Sequence, residues 1–283
     1  MQTISKATVK YRRPLNTEQV SVLNWLYNVR FSTCQQVGSY LRRDSLNVIY
    51  TKMRILEEQG FISKRYDKSY KLPARPAEYY LTPKGARKLE ELKPKSTNAW
   101  AIRSLYKNKR VSQDFLDHCL KVTETILQLK SLYGDKLSVY TKSYMVQYNN
   151  YPTWTPDLYL TLPVSGQEQP HGYFLDIWDS TKPFFVSIRK ASNYLKFSES
   201  GDWLEDTDFP AVLAICETDR TQKKLNRHMK RMLDEYGVYE VVCATTTCEQ
   251  FVAATKPTEK LWLKVDPYDD PIKETLKSLF VTP

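Results

Sequence analysis

The hydrophobic positions near the start of the chain recur at helical spacing. In TEQVSVLNWLYNV, residues 17–29, one helical face carries Val20, Leu23, Leu26 and Tyr27. The segment STCQQVGSYLRR follows, with Val37 and Leu41 four positions apart. The pattern therefore predicts two short helices.

A third helix with two different faces is predicted for SLNVIYTKMRILEEQ, residues 45–59. Asp44 or Ser45 is expected to cap its start, and Gly60 to end it. The inward stripe is Leu46, Ile49, Met53 and Leu56. The opposite stripe carries residue types that can reach base edges and phosphates: Asn47, Tyr50, Thr51 and Arg54. This is the pattern of a recognition helix in a major groove.

Two short β-rich runs, FISKRY and AEYYLT, come next and are separated by DKSYKLPARP. Thr82 then caps, and Pro83 begins, a closing helix. Three helices, a β-wing and a closing helix predict a winged helix-turn-helix over residues 1–93. The basic residues of the wing and its strands join the stripe above as candidate DNA contacts: Lys64, Arg65, Lys68, Lys71 and Arg75.

Charge is distributed unevenly along the 283 residues, whose net charge is +10. Residues 1–110 hold 23 Lys+Arg against 8 Asp+Glu, a balance of +15, whereas the remaining 173 hold 19 against 24, a balance of −5. A basic N-terminal third predicts a polyphosphate partner, namely double-stranded DNA. A winged helix used only for protein contacts is the alternative. Residues 94–111 are basic and lack a clear period, so we expect a linker there.

The C-terminal part, residues 112–283, predicts a mixed α/β domain. SQDFLDHCLKVTETILQLKSLYG is expected to be a helix, and KLSVYTKSYMVQY, DLYLTLPV and GYFLDIW are expected to be strands. KPFFVSIRKASNYLKF is predicted as a helix, FPAVLAICET as a strand, TQKKLNRHMKRMLDEYG as a basic helix and YEVVCATT as a strand. This α-β-β-β-α-β order resembles that of the restriction-endonuclease-like fold.

Two acids stand where that fold places carboxylates on neighbouring strands. Asp157 follows Pro156 at the start of one strand, and Asp176 lies 19 positions later near the end of the next. Such a pair binds Mg²⁺ or Mn²⁺ and a lysine orients the attacking water. In that fold the lysine stands two positions after the second acid. Here that position is Trp178, and the candidate lysine is instead Lys190 in the following helix. Without metal, two neighbouring acids should repel, and Asp157→Ala or Asp176→Ala should slightly raise stability.

Several other kinds of site are disfavoured. Five scattered cysteines without a C-x-x-C pair indicate neither a disulfide framework nor a zinc site. The three histidines, His118, His171 and His228, never alternate, which disfavours a tyrosine nucleophile beside a His-hydrophobe-His metal site. His118 and His228 are expected at the surface or half-buried. No apolar run approaches about 18 residues and no secretion signal is evident, so we expect a cytoplasmic protein without a membrane partner.

The blocks TPDLYLTL, GYFLDIWDSTKPFFVSIRKASNYLKF and FPAVLAICETDR follow YYLTPKGARKL in one order. This order resembles the replication-relaxation family of plasmids and conjugative elements, and the related MobC-type relaxases. The resemblance implies that Asp157 and Asp176 are metal ligands. In that family the third strand usually ends in Glu-hydrophobe-acid, followed by a small residue and Thr. Here Asp176 replaces the Glu, Trp178 stands where the second acid of the motif would be, and Ser180-Thr181 keeps the last two positions.

Three functions remain open from the sequence. The first is sequence-specific binding of double-stranded DNA at an origin of transfer or replication, within a relaxosome. The second is a Mg²⁺-dependent nickase that uses Asp157, Asp176 and Lys190. The third is a transcriptional regulator of the element. Other relaxosome proteins and a second copy of the chain are left open as partners.

Overall fold

The computed structural model describes residues 14–66, 69, 71, 74–94, 97–164, 169–179, 182–204 and 207–280. The candidate DNA contact Lys68 lies outside these ranges, as does Ser180-Thr181.

The N-terminal region combines helices with a small antiparallel sheet. Its elements are α1 (Thr17–Val29), β1 (Phe31–Thr33), α2 (Cys34–Leu41), α3 (Leu46–Glu58), β2 (Ile62–Arg65), β3 (Glu78–Leu81) and α4 (Pro83–Leu92). The strand order is β1-β3-β2, with both pairings antiparallel. The winged-helix interpretation of this region stays a prediction.

Helix α1 begins where its sequence provides a cap. The Asn16 side chain accepts a hydrogen bond from the Gln19 backbone N–H at 2.8 Å, and the Gln19 side chain accepts one from the Asn16 N–H at 3.0 Å. This capping box satisfies backbone donors that the first turn would otherwise leave free.

Helix α3 has the two faces that its sequence predicts, with one correction. Ile49, Met53 and Leu56 are fully buried. Leu46, predicted to point inward, is 42% exposed. The prediction is wrong for Leu46 because the whole first turn, residues 46–48, is exposed and lies beyond the core.

The segment expected to be a linker contains helix α5 (Ala99–Leu105), which buries Ala101 and Leu105. The Arg30 guanidinium donates a hydrogen bond to the buried Asn108 side chain at 2.8 Å. Residues 97–111 are therefore packed against the N-terminal region along much of their length.

The C-terminal region is built on a seven-stranded sheet. Its strands are β4 (Ser138–Thr141), β5 (Leu158–Leu162), β6 (His171–Trp178), β7 (Ala211–Cys216), β8 (Cys243–Thr247), β9 (Trp262–Val265) and β10 (Ile272–Glu274). The spatial order is β10-β9-β8-β7-β6-β5-β4. The central pairs β6-β7 and β7-β8 are parallel, and the outer pairs are antiparallel.

The helices of this region are α6 (Gln113–Tyr133), α7 (Lys142–Met145), α8 (Phe184–Glu199), α9 (Asp219–Tyr236) and α10 (Cys248–Ala253). The mixed α/β prediction is confirmed, and the α-β-β-β-α-β order is present. KLSVYTKSYMVQY is only partly a strand, since β4 ends at Thr141 and α7 follows at once. Thr141 is extended and Lys142 starts a helical turn, which ends the ladder with β5.

The sheet carries a different core on each face. One face packs α6 residues such as Ile126 and Leu129 against Leu158 and Leu160 of β5. The other face packs α8 and α9 against Phe174 and neighbouring side chains. Trp178 is 5% exposed within this second core. Alternation along β6 thus divides its side chains between the two faces.

Helix α6 also packs against the N-terminal sheet. Phe31 and Tyr80 form a cluster with Leu116 and Cys119, and the Thr123 hydroxyl donates to the Phe31 carbonyl at 3.0 Å. The two regions therefore share α6. No helix within the described ranges is long and apolar enough to cross a membrane.

Candidate functional site

The two predicted acids meet at one point of the large sheet. Asp157 immediately precedes β5, which pairs with β6 so that Leu158 lies opposite Leu175. The Asp157 backbone N–H donates to Asp176 Oδ1 at 2.9 Å, and the Ile177 N–H donates to Asp157 Oδ2 at 3.0 Å. Asp157 is 4% exposed and Asp176 is 2% exposed. Adjacent strands thus bring both carboxylates together in a buried position.

Lys190 of α8 joins them. Its ammonium group lies 2.5 Å from Asp176 Oδ1 and 3.4 Å from the Thr155 carbonyl oxygen. Thr155 has a φ of 29°, a conformation that a β-branched residue adopts only when its surroundings enforce it. The structure therefore assembles the three residues Asp157, Asp176 and Lys190 that the sequence singles out.

Sequence reasoning missed four further members of this cluster. The Lys142 ammonium lies 2.8 Å from Asp157 Oδ1, and the Tyr194 hydroxyl donates to Asp176 Oδ2 at 2.8 Å. His118 lies between two carboxylates, with Nε2 at 3.0 Å from Asp157 Oδ1 and Nδ1 at 3.1 Å from Asp179 Oδ2. We call these seven residues the acid cluster: His118, Lys142, Asp157, Asp176, Asp179, Lys190 and Tyr194.

The expectation that His118 is exposed or half-buried is wrong, because the residue is 6% exposed. Burial lowers the pKa of His118, but hydrogen bonds to Asp157 and Asp179 outweigh that effect and raise it above its ordinary value. With both ring nitrogens facing carboxylates, the imidazolium form can donate at both ends. The helical spacing could have indicated that His118 is buried, since positions 118, 122, 125 and 129 lie along one inward face of α6.

Groups of opposite charge are paired within the acid cluster. Burial opposes ionisation of Asp157, but Lys142, Lys190 and His118 together hold its pKa well below the usual range. Asp157 in turn raises the pKa of the Lys142 ammonium, against the effect of burial. Three carboxylates therefore meet two ammonium groups and the His118 ring, whose raised pKa favours its cationic form. At the margin, the Lys121 ammonium lies 3.6 Å from Asp179 and 3.7 Å from Glu217.

Whether the acid cluster can bind Mg²⁺ or Mn²⁺ depends on which carboxylate oxygens are free to coordinate a metal. Both oxygens of Asp157 and both oxygens of Asp176 accept a hydrogen bond from a protein donor. Mg²⁺ requires near-octahedral oxygen ligands and would have to displace Lys142 and Lys190. Within the described ranges, no three or more His, Cys, Asp and Glu side chains are grouped to hold a metal. As arranged, these residues do not fit a divalent ion.

The stripe predicted for DNA contact lies on the outer face of α3, where its four members are exposed: Asn47, Tyr50, Thr51 and Arg54. Arg54 is 3.8 Å from Glu58, an exposed pair that contributes little energy. Lys71 is exposed, and Lys64 is exposed with its ammonium 2.9 Å from Glu57. These side chains remain accessible to a partner.

Arg65 and Arg75 point elsewhere. Arg65 donates to the Val111 carbonyl at 2.8 Å and lies 3.5 Å from the Gln113 side chain. Arg75 pairs with Glu78 at 2.9 Å and with Asp117 of α6. The structure therefore places these two predicted DNA contacts in the packing between β2, β3 and α6.

The fold is α/β, and the neighbouring strands β5 and β6 bring together two buried acids that are neutralised by lysines of the acid cluster. The sequence model of the family described as replication-relaxation matches residues 23–213, more than half of the chain. The chain belongs to the replication-relaxation family, as predicted, and this membership suggests a role in plasmid replication or mobilisation. The specific likeness to MobC-type relaxases stays a prediction.

Comparison with curated proteins finds no match. Among solved structures, the chain is similar to a mutant of Lactococcus lactis ZitR, with 17% identity and a TM-score of 0.24. The likeness covers 46% of this chain and 82% of that one. A similarity at this level supports no functional argument.

Proposed function

We propose that the protein binds double-stranded DNA sequence-specifically at an origin of plasmid transfer or replication. The observation that carries the proposal is that helix α3 is amphipathic, with one face buried in the core and the other exposed. Ile49, Met53 and Leu56 fix one face in the core, and Asn47 and Arg54 lie on the exposed face. A helix anchored in this way presents its outer side chains at fixed positions, which reading of base edges requires.

Charge supports the same proposal. The +15 balance of residues 1–110 supplies the cations that neutralise phosphates, which is the sequence-independent part of DNA affinity. The placement of Arg65 and Arg75 against α6 and their partners reduces the set of wing cations available to DNA. Base contacts are therefore assigned to the outer face of α3, and backbone contacts to wing residues such as Lys71.

The test compares Arg54→Ala and Lys71→Ala in the full chain, using fluorescence anisotropy on origin fragments and unrelated duplexes over a range of salt concentrations. Arg54→Ala should weaken origin binding by about 1–3 kcal/mol more than unrelated binding. Lys71→Ala should weaken both and reduce the slope of log K against log salt by about 1. Lys136→Ala, which removes an exposed lysine beyond α6, is the matched control. Equal losses for the first two variants would mean that α3 does not read bases.

The convergence of Asp157, Asp176 and Lys190 favours nicking as a second candidate function. Its prediction is that supercoiled plasmid carrying the element's own origin is nicked with Mg²⁺ or Mn²⁺, and that Asp157→Ala or Asp176→Ala abolishes nicking while duplex binding persists. Lys190→Ala should slow nicking without ending metal binding. The ion pairs of the acid cluster oppose this candidate, so DNA binding is proposed first.

A melting experiment separates the two functions. If Mg²⁺ or Mn²⁺ binds the native cluster, it must raise the melting temperature in proportion to the logarithm of its concentration above Kd. An unchanged melting temperature, together with intact plasmid, would leave the protein a binder. The remaining alternative, a transcriptional regulator, is distinguished by a binding site at a promoter of the element rather than at its origin.

A further inference from the structure

Helix α9 carries a second concentration of positive charge, in a region whose overall balance is negative. Six of the nineteen Lys and Arg residues beyond position 110 lie in this one helix. Five of them are exposed and recur at helical spacing along one stripe: Arg220, Lys223, Lys224, Arg227 and Arg231. From the first to the last the stripe is about 16 Å long. The inner face of α9 is buried through Leu225 and Met229.

These cations are not neutralised by ion pairs in the described part of the chain. Within the described residues, none of the five forms an ion pair with a carboxylate, in contrast to Lys64 and Arg75 of the N-terminal region. Arg231 instead contacts the His228 ring at 2.8 Å. A row of uncompensated cations on a rigid helix attracts a polyanion.

Aromatic side chains adjoin the start of the stripe. The Lys224 ammonium lies 4.0 Å from the centre of the Phe184 ring, and Phe184 lines an open groove with Arg220 and Arg227. The next residue, Phe185, is 65% exposed at the beginning of α8. Phe184 thus contacts the stripe, and Phe185 follows it in the first turn of α8. Aromatic rings together with a row of cations are the combination that binds single-stranded nucleic acid, in which bases are free to stack.

We propose that the α9 stripe and Phe185 form a binding surface for a single DNA strand. The stripe neutralises the phosphates, and Phe185 stacks on an unpaired base. This surface is separate from the outer face of α3, so it extends the proposed function without depending on duplex recognition by α3. A duplex would use the stripe alone, because its paired and stacked bases are not available to Phe185.

The experiment measures binding of the full chain to a labelled oligothymidylate of 20 nucleotides and, separately, to origin duplex, by fluorescence anisotropy. Lys224→Gln/Arg227→Gln should weaken oligothymidylate binding and reduce its salt slope by about 1.4, or 0.7 for each lost contact. Phe185→Ala should weaken it by about five- to 150-fold and Phe185→Trp should retain it. Origin duplex binding should change by less than about twofold in the Phe185 variants, since stacking plays no part in it.

The matched control is Lys136→Gln/Lys260→Gln, which removes two exposed lysines away from α9 and should leave both affinities unchanged. Unchanged melting temperatures show that all variants fold. The proposal is overturned if wild-type protein does not bind oligothymidylate, if the α9 pair binds it normally, or if Phe185→Ala has no effect. Loss of duplex specificity in Arg54→Ala with intact oligothymidylate binding tests α3 separately, so the two proposals can fail independently.

Discussion

The substitution Asp157→Ala tests how the acid cluster is stabilised. The Asp157 carboxylate is buried, and it accepts hydrogen bonds from the Ile177 backbone, from His118 and from Lys142. The substitution removes all three and leaves the donors behind. The repulsion expected from the sequence predicts a slight gain in stability, whereas the paired arrangement predicts a loss.

The size of that loss follows from the exposure of the partners. Removing one member of a buried ion pair costs about 3–5 kcal/mol because it leaves an uncompensated charge. The Lys142 side chain is 46% exposed, so it can turn to water and contributes little to the cost. The His118 side chain is 8% exposed and keeps Asp179 as a partner. We therefore expect a loss of about 3 kcal/mol, or a melting temperature lower by about 6 °C.

Thermal melting followed by circular dichroism at pH 7 in EDTA measures this loss without divalent ions. Asp135→Ala, an exposed acid in the turn after α6, is the control and should change stability by less than about 0.5 kcal/mol. Because the pKa of Asp157 is lowered, the stability it contributes is present above its ordinary value of 3.8 and is lost as pH falls below that value. The deficit of the variant should therefore shrink below about pH 4. A variant as stable as wild type at pH 7 would refute the ion-paired description.

Three further stability predictions follow from individual contacts. Because the pKa of His118 is raised in the folded protein, its ion pairs stabilise the fold fully below pH 6.5, its ordinary pKa, and this stabilisation is lost as pH rises through the folded-state pKa. In melting experiments, His118→Gln should therefore differ most from wild type near pH 6 and least at alkaline pH. Gly85→Ala should cost about 2 kcal/mol or more in urea unfolding, because the added carbon would lie 2.0 Å from the Phe61 carbonyl oxygen. Arg75→Gln should cost about 2 kcal/mol, mainly because it removes the ion pair with the buried Glu78 carboxylate. It should also speed proteolysis between β3 and α6, because the pair with Asp117 of α6 is lost; a proteolysis rate like that of wild type would contradict this role.

The sequence pattern predicted correctly those features that depend on residues close together in the chain. The apolar stripe of α3 beyond its first turn, the capped start of α4 and the alternation along β5 each depend on neighbours within a few positions, and each is present in the structure. The meeting of Asp157 and Asp176 was predicted from the resemblance to the restriction-endonuclease-like fold, and the pairing of β5 with β6 brings the two acids side by side.

The sequence pattern did not reveal partners that are distant in sequence. Arg65 and Arg75 were predicted as DNA contacts in a basic wing, but in the structure Arg65 donates to the Val111 carbonyl before α6 and Arg75 pairs with Asp117 of α6. His118 looks like a surface histidine until Asp157, 39 positions later, is folded against it. Lys142 was absent from the predicted site because its segment was read as one continuous strand, whereas β4 ends one residue before it. Hydrophobic periodicity in the sequence does not show which distant residues will contact each other.

The chemistry of the acid cluster bears on how the C-terminal region could meet DNA. Three buried carboxylates without counterions would repel a phosphate backbone, and a metal ion is the usual means by which a nuclease neutralises such acids. Here His118, Lys142 and Lys190 provide that positive charge from within the chain. Because the neutralisation is internal, a metal can enter only by displacing groups already bound. The same ion pairs that should make Asp157→Ala destabilising thus support the proposal of DNA binding over that of nicking.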